Sequence, residues 1–507
     1  MEKCKDRLKY PHIFLLILGA GLFISVSLHK CLWFDETYSA VLSSHRFSEM
    51  LNIAAQDVHP FLYYIILRIV NFLSHGSIIA LRLFSALGMQ TLAILGYTHV
   101  RKFFSAEMGF FFSLLTYLSA ASLKFASEIR MYSWAAVFVF LSALYAYITV
   151  KESFSDKKHA VLFIVFSLFA AYTHYYALVT VSIINLLFII FSLRTKQKIS
   201  NMLFSAAFEI ILYIPGFIVF FCQSSKVVSS EYWIRVKYPD VLTESASYML
   251  TGGTEKNDMF GMNERLNKFI VIIAALLFVL LIFSCVLRYI ASVKSASFNN
   301  TSSAALLSVT VFFAVVACGL LVSCFKEFYY VRYTMVMHGL LIFASAAALA
   351  SLKRQSVKCI FCTLLAAIFL CVSLPFYKTV YDGSYERCRD ILCEKISEKD
   401  IIVYADFTTA SVLSDMIPDT EKYYYRYGKP EYPRADLAFD RDVTAVSSLS
   451  DIPGCEGRVW ILDSWGADGE FANNVMNTLN CRHITEEVDI TVSYRGTRLR
   501  FLICDFD

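Results

Sequence analysis

Short polar clusters interrupt the apolar runs of this chain, and their residue types suit proton removal beside a bound anion. Trp33-Phe34-Asp35-Glu36-Thr37-Tyr38 sets two adjacent carboxylates among aromatic rings. Asp57-x-His59-Pro60 adds an acid and an imidazole, Leu81-Arg82-Leu83 a guanidinium, and Glu128-x-Arg130-x-Tyr132 an acid with an arginine. His174-Tyr175-Tyr176 and Tyr329-Tyr330-Val331-Arg332-Tyr333 complete the set. Each cluster alone has an ordinary structural reading: a helix cap, a turn before proline, a snorkelling arginine, or an interfacial aromatic belt. Together they point to one chemistry. A hydroxyl or amine that attacks an anomeric carbon must lose a proton, which a carboxylate can take. A departing phosphate is stabilised by guanidinium and imidazole groups.

The elements that position these clusters are membrane helices. Of the 507 residues, 57% are hydrophobic and only 17% charged, with a mean hydropathy of +0.55. A soluble chain of this length carries more charge. Apolar runs long enough to cross a bilayer recur through the first three quarters. Basic clusters at Lys3–Lys9, Arg101-Lys102, Lys151 to Lys158, Arg194 to Lys198, Arg288 with Lys294, and Lys353 to Lys358 mark cytoplasmic ends. They imply about eleven spans: 11–29, 78–100, 105–124, 130–150, 159–174, 176–193, 201–222, 267–289, 303–324, 332–351 and 357–374. The first run is read as an anchor and not a cleaved leader, because no small-residue cleavage site follows it. The N-terminus is then cytoplasmic, and every polar cluster lies on the outer face of the plasma membrane, where ionisable groups usually line a functional cavity. The stretch 60–73 is too short to span and is expected to be a juxtamembrane helix within an outer loop, 30–77. A second outer loop, 223–266, contains Trp233 and Arg235.

Residues 1–374 carry 31 Lys/Arg against 18 Asp/Glu, whereas residues 375–507 carry 15 against 24. This charge reversal divides the chain into a transmembrane catalytic domain, 1–374, and a soluble extracytoplasmic α/β domain, 375–507. Strands are expected at 400–405, 458–463, 488–494 and 499–504, with helices at 410–416 and 470–479. Cys388, Cys393, Cys455, Cys481 and Cys504 offer one disulfide without fixing its pairing. Cys359-x-x-Cys362 sits in an apolar run with no second pair or His following, so it is not read as a metal site.

Outside the cytoplasm there are no nucleotide sugars, so a polyprenyl-phosphate-linked sugar is the logical donor. Its tail would lie between helices rich in Phe. The acceptor is an extracytoplasmic glycan, lipid or protein, and nucleic acid is not a partner. Two other functions are weighed. A transporter or flippase of lipid-linked sugars would show internal repeats and broken midplane helices, and no clear repeat is visible. A non-catalytic envelope assembly protein would tolerate loss of its outer-face acids.

The motifs WFDETYSA at 33–40, DVHPFLYYIILR at 57–68, ALRLFSALG at 80–88, SEIRMYSW at 127–134 and YYVRY at 329–333 resemble the GT-C glycosyltransferases. They are most similar to glycosyltransferase family 39, which includes protein O-mannosyltransferases and lipid A aminoarabinose transferases. The resemblance implies a GT-C-like helical fold and a hexosyl or pentosyl transferase using a polyprenyl-phosphate sugar, with no required cofactor. It implies Asp35 as catalytic base, Glu36 as its companion and Glu128 as the acid of the second outer loop. His59, Arg82 and Arg332 correspond to donor-phosphate ligands, and Arg130 and Tyr333 join them. Asp57, His174 and Tyr63 have supporting places. No metal is expected; Asp57, His59 and His174 are the weak candidates. Tyr38 stands where aminoarabinose transferases carry an arginine, so the acceptor does not carry over.

Overall fold

The computed structural model describes residues 7–505 except 153, 195–198, 230–233, 235, 254–263, 295–299, 405–411, 414–415, 418–419, 426–437, 440–442, 455, 463–469 and 482. Trp233 and Arg235 of the second outer loop, Cys455, and most of the helix expected at 410–416 therefore lie outside the described residues.

All eleven expected stretches are helical. Eight helices are long and apolar enough to cross a bilayer: Lys9–Ser27 (α1), Ile78–Phe103, Tyr132–Lys151, Ser200–Ser224, Arg265–Ala291, Thr301–Ser323, Val331–Ala350 and the helix that opens at Gln355. The stretch 105–124 is instead a pair, Ala106–Tyr117 and Ala120–Ser127, bent by 62°. Ser119 makes the bend: its hydroxyl caps the second helix by accepting from Ser122 N at 3.2 Å. Lys157–Thr173 and Tyr175–Arg194, joined at His174, are shorter in apolar reach. By length and composition, eight or nine of the eleven thus qualify among the described residues. Because the short helices follow one another as a pair, they leave the sidedness of later elements unchanged if both cross or neither does.

Between α1 and the second span lie three short helices, Phe34–Ser44 (α2), Phe47–Ala54 (α3) and Leu62–Leu73 (α4). The last matches the expected juxtamembrane helix. Arg68 on α4 donates to the carbonyls of Ser43 and His45, tying the helices together. Tyr132–Lys151 and Val331–Ala350 are the most enclosed spans, 89% and 94% buried. They are apolar on all sides, as a helix surrounded by other helices must be. Arg130 and Arg332 lie at the N-terminal ends of these two enclosed helices. Close packing elsewhere uses glycine. Gly96 and Gly109 face each other so closely that a side chain on either would run into Ser113 or the opposite backbone.

The last long helix runs from Gln355 to Tyr381 and is followed at once by Ser384–Lys395. A six-stranded sheet comes next, in the order β3-β2-β1-β4-β6-β5. Its strands are Ile401–Tyr404 (β1), Glu421–Tyr425 (β2), Thr444–Val446 (β3), Val459–Leu462 (β4), His483–Val492 (β5) and Thr497–Asp505 (β6). The first four are parallel, with Ile401 opposite Glu421 and Val459, while β6 and β5 close the sheet antiparallel. β1 and β4 are buried at every position, as central parallel strands covered on both faces should be. β2 and β3, unlike the other four strands, were not anticipated in the sequence.

The sheet domain is latched to the bundle. Ser493 donates its backbone N–H to Ser384 Oγ at 2.9 Å and its hydroxyl to Asp382, at the end of the last long helix. His45 Nε2 bonds the Ala438 carbonyl oxygen at 2.8 Å, joining the first outer loop to the same domain.

Candidate active site

The two acids of the first outer loop occupy the first turn of α2, which starts from an extended Trp33. Successive residues of a helix diverge by about 100°, so Asp35 and Glu36 face different partners. Asp35 Oδ2 lies 2.9 Å from Arg332 Nη2 and 3.8 Å from Arg130 Nε. Its side chain remains 17% exposed. Glu36 is completely buried and meets Arg82, also completely buried, in a two-pronged pair at 3.0 and 2.9 Å.

The hydrogen bonds of that second pair are saturated. Arg82 directs Nε and Nη2 to Glu36, Nη1 to the ring and carbonyl of His29, and Nη2 also to the Cys31 carbonyl. All five N–H donors of the guanidinium are engaged. Glu36 Oε1 additionally accepts from Ile129 N at 3.1 Å, and Oε2 from the Tyr494 hydroxyl at 3.2 Å. Burial raises the Glu36 carboxyl above its ordinary range, and Arg82 beside it offsets part of that rise. Four hydrogen bonds converge on its two oxygens, an arrangement that suits a carboxylate paired with a guanidinium. His29 Nδ1 faces Arg82 Nη1 at 3.0 Å, and burial together with that cation holds the ring neutral.

Around Asp35 the donors are not saturated. Arg332 comes from a 3₁₀ turn, Val331–Met337, and its guanidinium lies 5.2 Å from the Trp33 ring, 5.3 Å from Tyr330 and 5.7 Å from Tyr132. These faces favour a cation there. Among the described residues Arg332 Nε meets no hydrogen-bond partner, and neither do the Tyr132 hydroxyl and His174 Nε2, all buried. His174 Nδ1 accepts from Tyr176 N at 3.0 Å. Burial, then the charges of His59, Arg130 and Arg332, hold the His174 pKa well below its usual range. A neutral ring accepting at Nδ1 carries its proton on Nε2, so Nε2 is an unused donor. Its ring lies 5.3 Å from those of both Tyr132 and His59, and 5.4 Å from that of Tyr333. Buried donors of this kind are suited to an anionic ligand.

The other expected residues fall around this core. Arg130 donates Nη2 to His59 Nε2 at 2.9 Å and Nη1 to Ser39 Oγ at 3.3 Å. Glu128 is fully buried at the end of Ala120–Ser127, and its carbonyl accepts from Arg130 N at 2.8 Å. Tyr333 packs on His174 and on Tyr176. Tyr63 stacks on Phe84, and Asp57 accepts from the Tyr64 hydroxyl at 3.1 Å. The structure therefore brings Asp35, Arg130, Arg332, His59, His174 and Tyr333 together. Arg82 and Glu36 form a separate, closed pair beside them. Among the described residues no three His, Cys, Asp or Glu side chains converge as metal ligands. Of the weak metal candidates, Asp57 turns to Tyr64 and His59 to Arg130.

An apolar groove of about 320 Å³ opens next to this cluster. Tyr176, Val179, Phe220, Cys318 and Phe328 line it, together with Val58, the neighbour of His59. Gln223, on the same wall, donates to the His59 carbonyl at 3.3 Å. The sequence did not single out Tyr132 as a donor, nor Tyr494, His29 and Gln223. Only Tyr132 lay within a motif that could have indicated it.

No protein-family model matches the sequence, and neither does any curated protein. Among solved structures, the chain is similar to ArnT from Cupriavidus metallidurans bound to undecaprenyl phosphate. The TM-score is 0.57 at 10% identity, over 96% of this chain and 97% of that one. It also matches ArnT from the same organism in the apo state, at TM-score 0.47 and 12% identity over 96% and 97% of the two chains. A third match is the Archaeoglobus fulgidus oligosaccharyltransferase in complex with Zn and sulfate, at TM-score 0.45 and 12% identity over 88% of this chain and 68% of that one. The first likeness establishes the fold. The chain is a polytopic helical membrane protein with a C-terminal α/β domain and shares the fold of that ArnT structure.

Proposed function

We propose that this protein transfers a sugar from a polyprenyl-phosphate carrier to a glycan, lipid or protein acceptor on the outer face of the plasma membrane. The observation that carries this reading is the set of unused buried donors (Arg332 Nε, Tyr132 hydroxyl, His174 Nε2) around Asp35, the partly exposed carboxylate beside them. The donors suit a phosphate, and the carboxylate suits an acceptor proton. The neighbouring groove suits an isoprenoid tail, and the fold is shared with a structure that holds undecaprenyl phosphate.

In this reaction the acceptor heteroatom attacks the anomeric carbon and gives its proton to Asp35. The bond from that carbon to the phosphate oxygen breaks, and its electron pair leaves with the phosphate. Arg332 and Arg130 offset the growing charge, with His174 and Tyr132 as neutral donors. Arg332 Nη2 exchanges part of its contact with Asp35 for the phosphate, which frees the carboxylate to act as a base. His59 orients Arg130, and Tyr333 holds the His174 ring. Glu128 adds negative charge near Arg332. Arg82 and Glu36 hold the frame. A single displacement of this kind inverts the anomeric configuration. No metal is needed, because guanidiniums supply the positive charge, and the residues named suit hexosyl or pentosyl donors alike.

The test is consumption of undecaprenyl-phosphate-linked sugars by the purified protein in nanodiscs, with surface glycans compared by mass spectrometry in cells with and without the gene. A sugar that disappears from the surface identifies donor and acceptor class. Unchanged surface glycans together with no donor consumed would overturn the reading.

A further inference from the structure

One contact in the site comes from the far end of the sequence. The turn Tyr494–Gly496 joins β5 to β6, and Tyr494, 2% exposed, inserts from it into the bundle. Its ring lies 5.2 Å from the His29 ring, and its hydroxyl donates to Glu36 Oε2 at 3.2 Å. Ser493 fixes the same turn to Asp382 and Ser384. The position is therefore anchored from both sides.

Glu36 is the point at which four segments meet. It belongs to α2, one residue from Asp35, and it accepts from Arg82 on the second span. It accepts from Ile129 in the turn that also carries Glu128 and Arg130, and from Tyr494 in the sheet domain. A carboxylate with all its lone pairs committed has one position. The first turn of α2 follows it, and with that turn goes the direction of the Asp35 side chain.

We propose that the sheet domain is part of the active-site frame, with Tyr494 as a positioning residue that sets the Asp35 carboxylate through Glu36. This rests on the function proposed above, but it concerns a different domain and a different step. The groups proposed to bind the phosphate are held by other partners: Arg332 by Asp35, Arg130 by His59, and His174 by Tyr176 N. The hydroxyl should therefore govern the alignment of the base and not the binding of the lipid. Displacing a catalytic group by a fraction of an ångström slows the chemistry and leaves substrate affinity intact.

The experiment uses the full chain in nanodiscs, with undecaprenyl phosphate as binding probe and a consumed undecaprenyl-phosphate sugar as substrate. Tyr494→Phe removes the hydroxyl alone. Tyr404→Phe, at an equally buried tyrosine of β1, controls for hydroxyl loss within the same domain. The proposal expects Tyr494→Phe to lower turnover by roughly five- to ten-fold, the effect of losing part of the alignment that one hydrogen bond provides. Probe affinity should stay within about two-fold and the protein should remain folded at the assay temperature, while Tyr404→Phe turns over normally. Undiminished turnover in Tyr494→Phe would overturn the proposal, as would a loss of turnover matched by loss of probe affinity. Arg332→Ala separates the two readings. If that variant binds undecaprenyl phosphate as the wild type does, the phosphate cradle fails, whatever Tyr494→Phe shows.

Discussion

Asp35 meets Arg332 at 2.9 Å, whereas Glu36, the next residue, is closed onto Arg82. Two adjacent acids of one motif thus have different environments, one partly exposed among unused donors and the other sealed. Function and stability should separate between them.

Asp35→Asn should reduce sugar transfer by about 10²- to 10⁴-fold, the usual range for losing a general base, with the folded protein retained. Undecaprenyl phosphate should bind this variant at least as tightly as the wild type, because the phosphate no longer competes with a carboxylate for Arg332. Turnover and probe titration on the same preparation check both halves.

Arg332→Lys keeps the charge but loses the planar fork and its stacking on Trp33, Tyr330 and Tyr132. Affinity for undecaprenyl phosphate should fall roughly 10- to 100-fold, as loss of a charge-assisted bond implies. A titration of undecaprenyl phosphate shows whether it does.

Arg82→Met leaves the Glu36 charge buried without its partner and should cost about 3–5 kcal/mol. Asp35→Asn breaks a partly exposed pair and should cost about 1 kcal/mol or less. Thermal unfolding in one detergent ranks the two variants, and the reverse order would mean that Arg82 is not the structural member.

Cys318→Trp places an indole in the apolar groove. KM for a polyprenyl-linked donor should rise roughly ten-fold with kcat little changed, since the groove would contribute equally to ground-state and transition-state binding. A short-chain donor analogue should be spared, and kinetics with both chain lengths decide the matter.

Asp400 anchors the sheet domain. It accepts from Ser397 N at 3.0 Å, Arg458 N at 2.8 Å, Trp460 Nε1 at 3.0 Å and Arg458 Nη2 at 3.1 Å. Burial opposes its charge, but these donors outweigh it and hold the carboxyl below its usual value of 3.8. The folded state therefore binds the Asp400 proton less readily than the unfolded state. This contribution to stability is complete above pH 3.8 and is lost as pH falls through the lower folded value. Asp400→Asn should cost about 1–3 kcal/mol at neutral pH and flatten the acid limb of the domain's stability curve. Hydrogen exchange in β1 and β4 between about pH 3 and pH 6 reads this directly.

Much of this was legible in the sequence. Apolar runs and basic clusters located the helices, because bilayer thickness and leaflet charge act on composition directly. The polar motifs supplied most of the candidate cluster because they lie at or near helix ends, where the chain turns back. Partnership was less legible. Spacing places Asp35 and Glu36 side by side but does not say which one Arg82 meets, since that depends on the pitch of α2 and on a backbone N–H from Ile129. Arg82 was expected at the phosphate and stands instead in a closed pair. His174 had only a supporting place, yet a bond from Tyr176 N makes its ring a donor into the cluster. In the sheet domain, β1 and β4 announced themselves by unbroken burial. Glu421-Lys-Tyr-Tyr-Tyr and Thr-Ala-Val lacked that signal, being short strands toward one edge of the sheet.

The bond between Tyr494 and Glu36 joins residues 458 positions apart. During synthesis the ribosome therefore releases the first acid long before the hydroxyl that completes its shell, and every membrane helix after α1 is made in between. The last donor reaches Glu36 only after the outer sheet has folded against an inserted bundle. Assembly order thus acts as a timer, and the frame around the base is finished at the end of biogenesis.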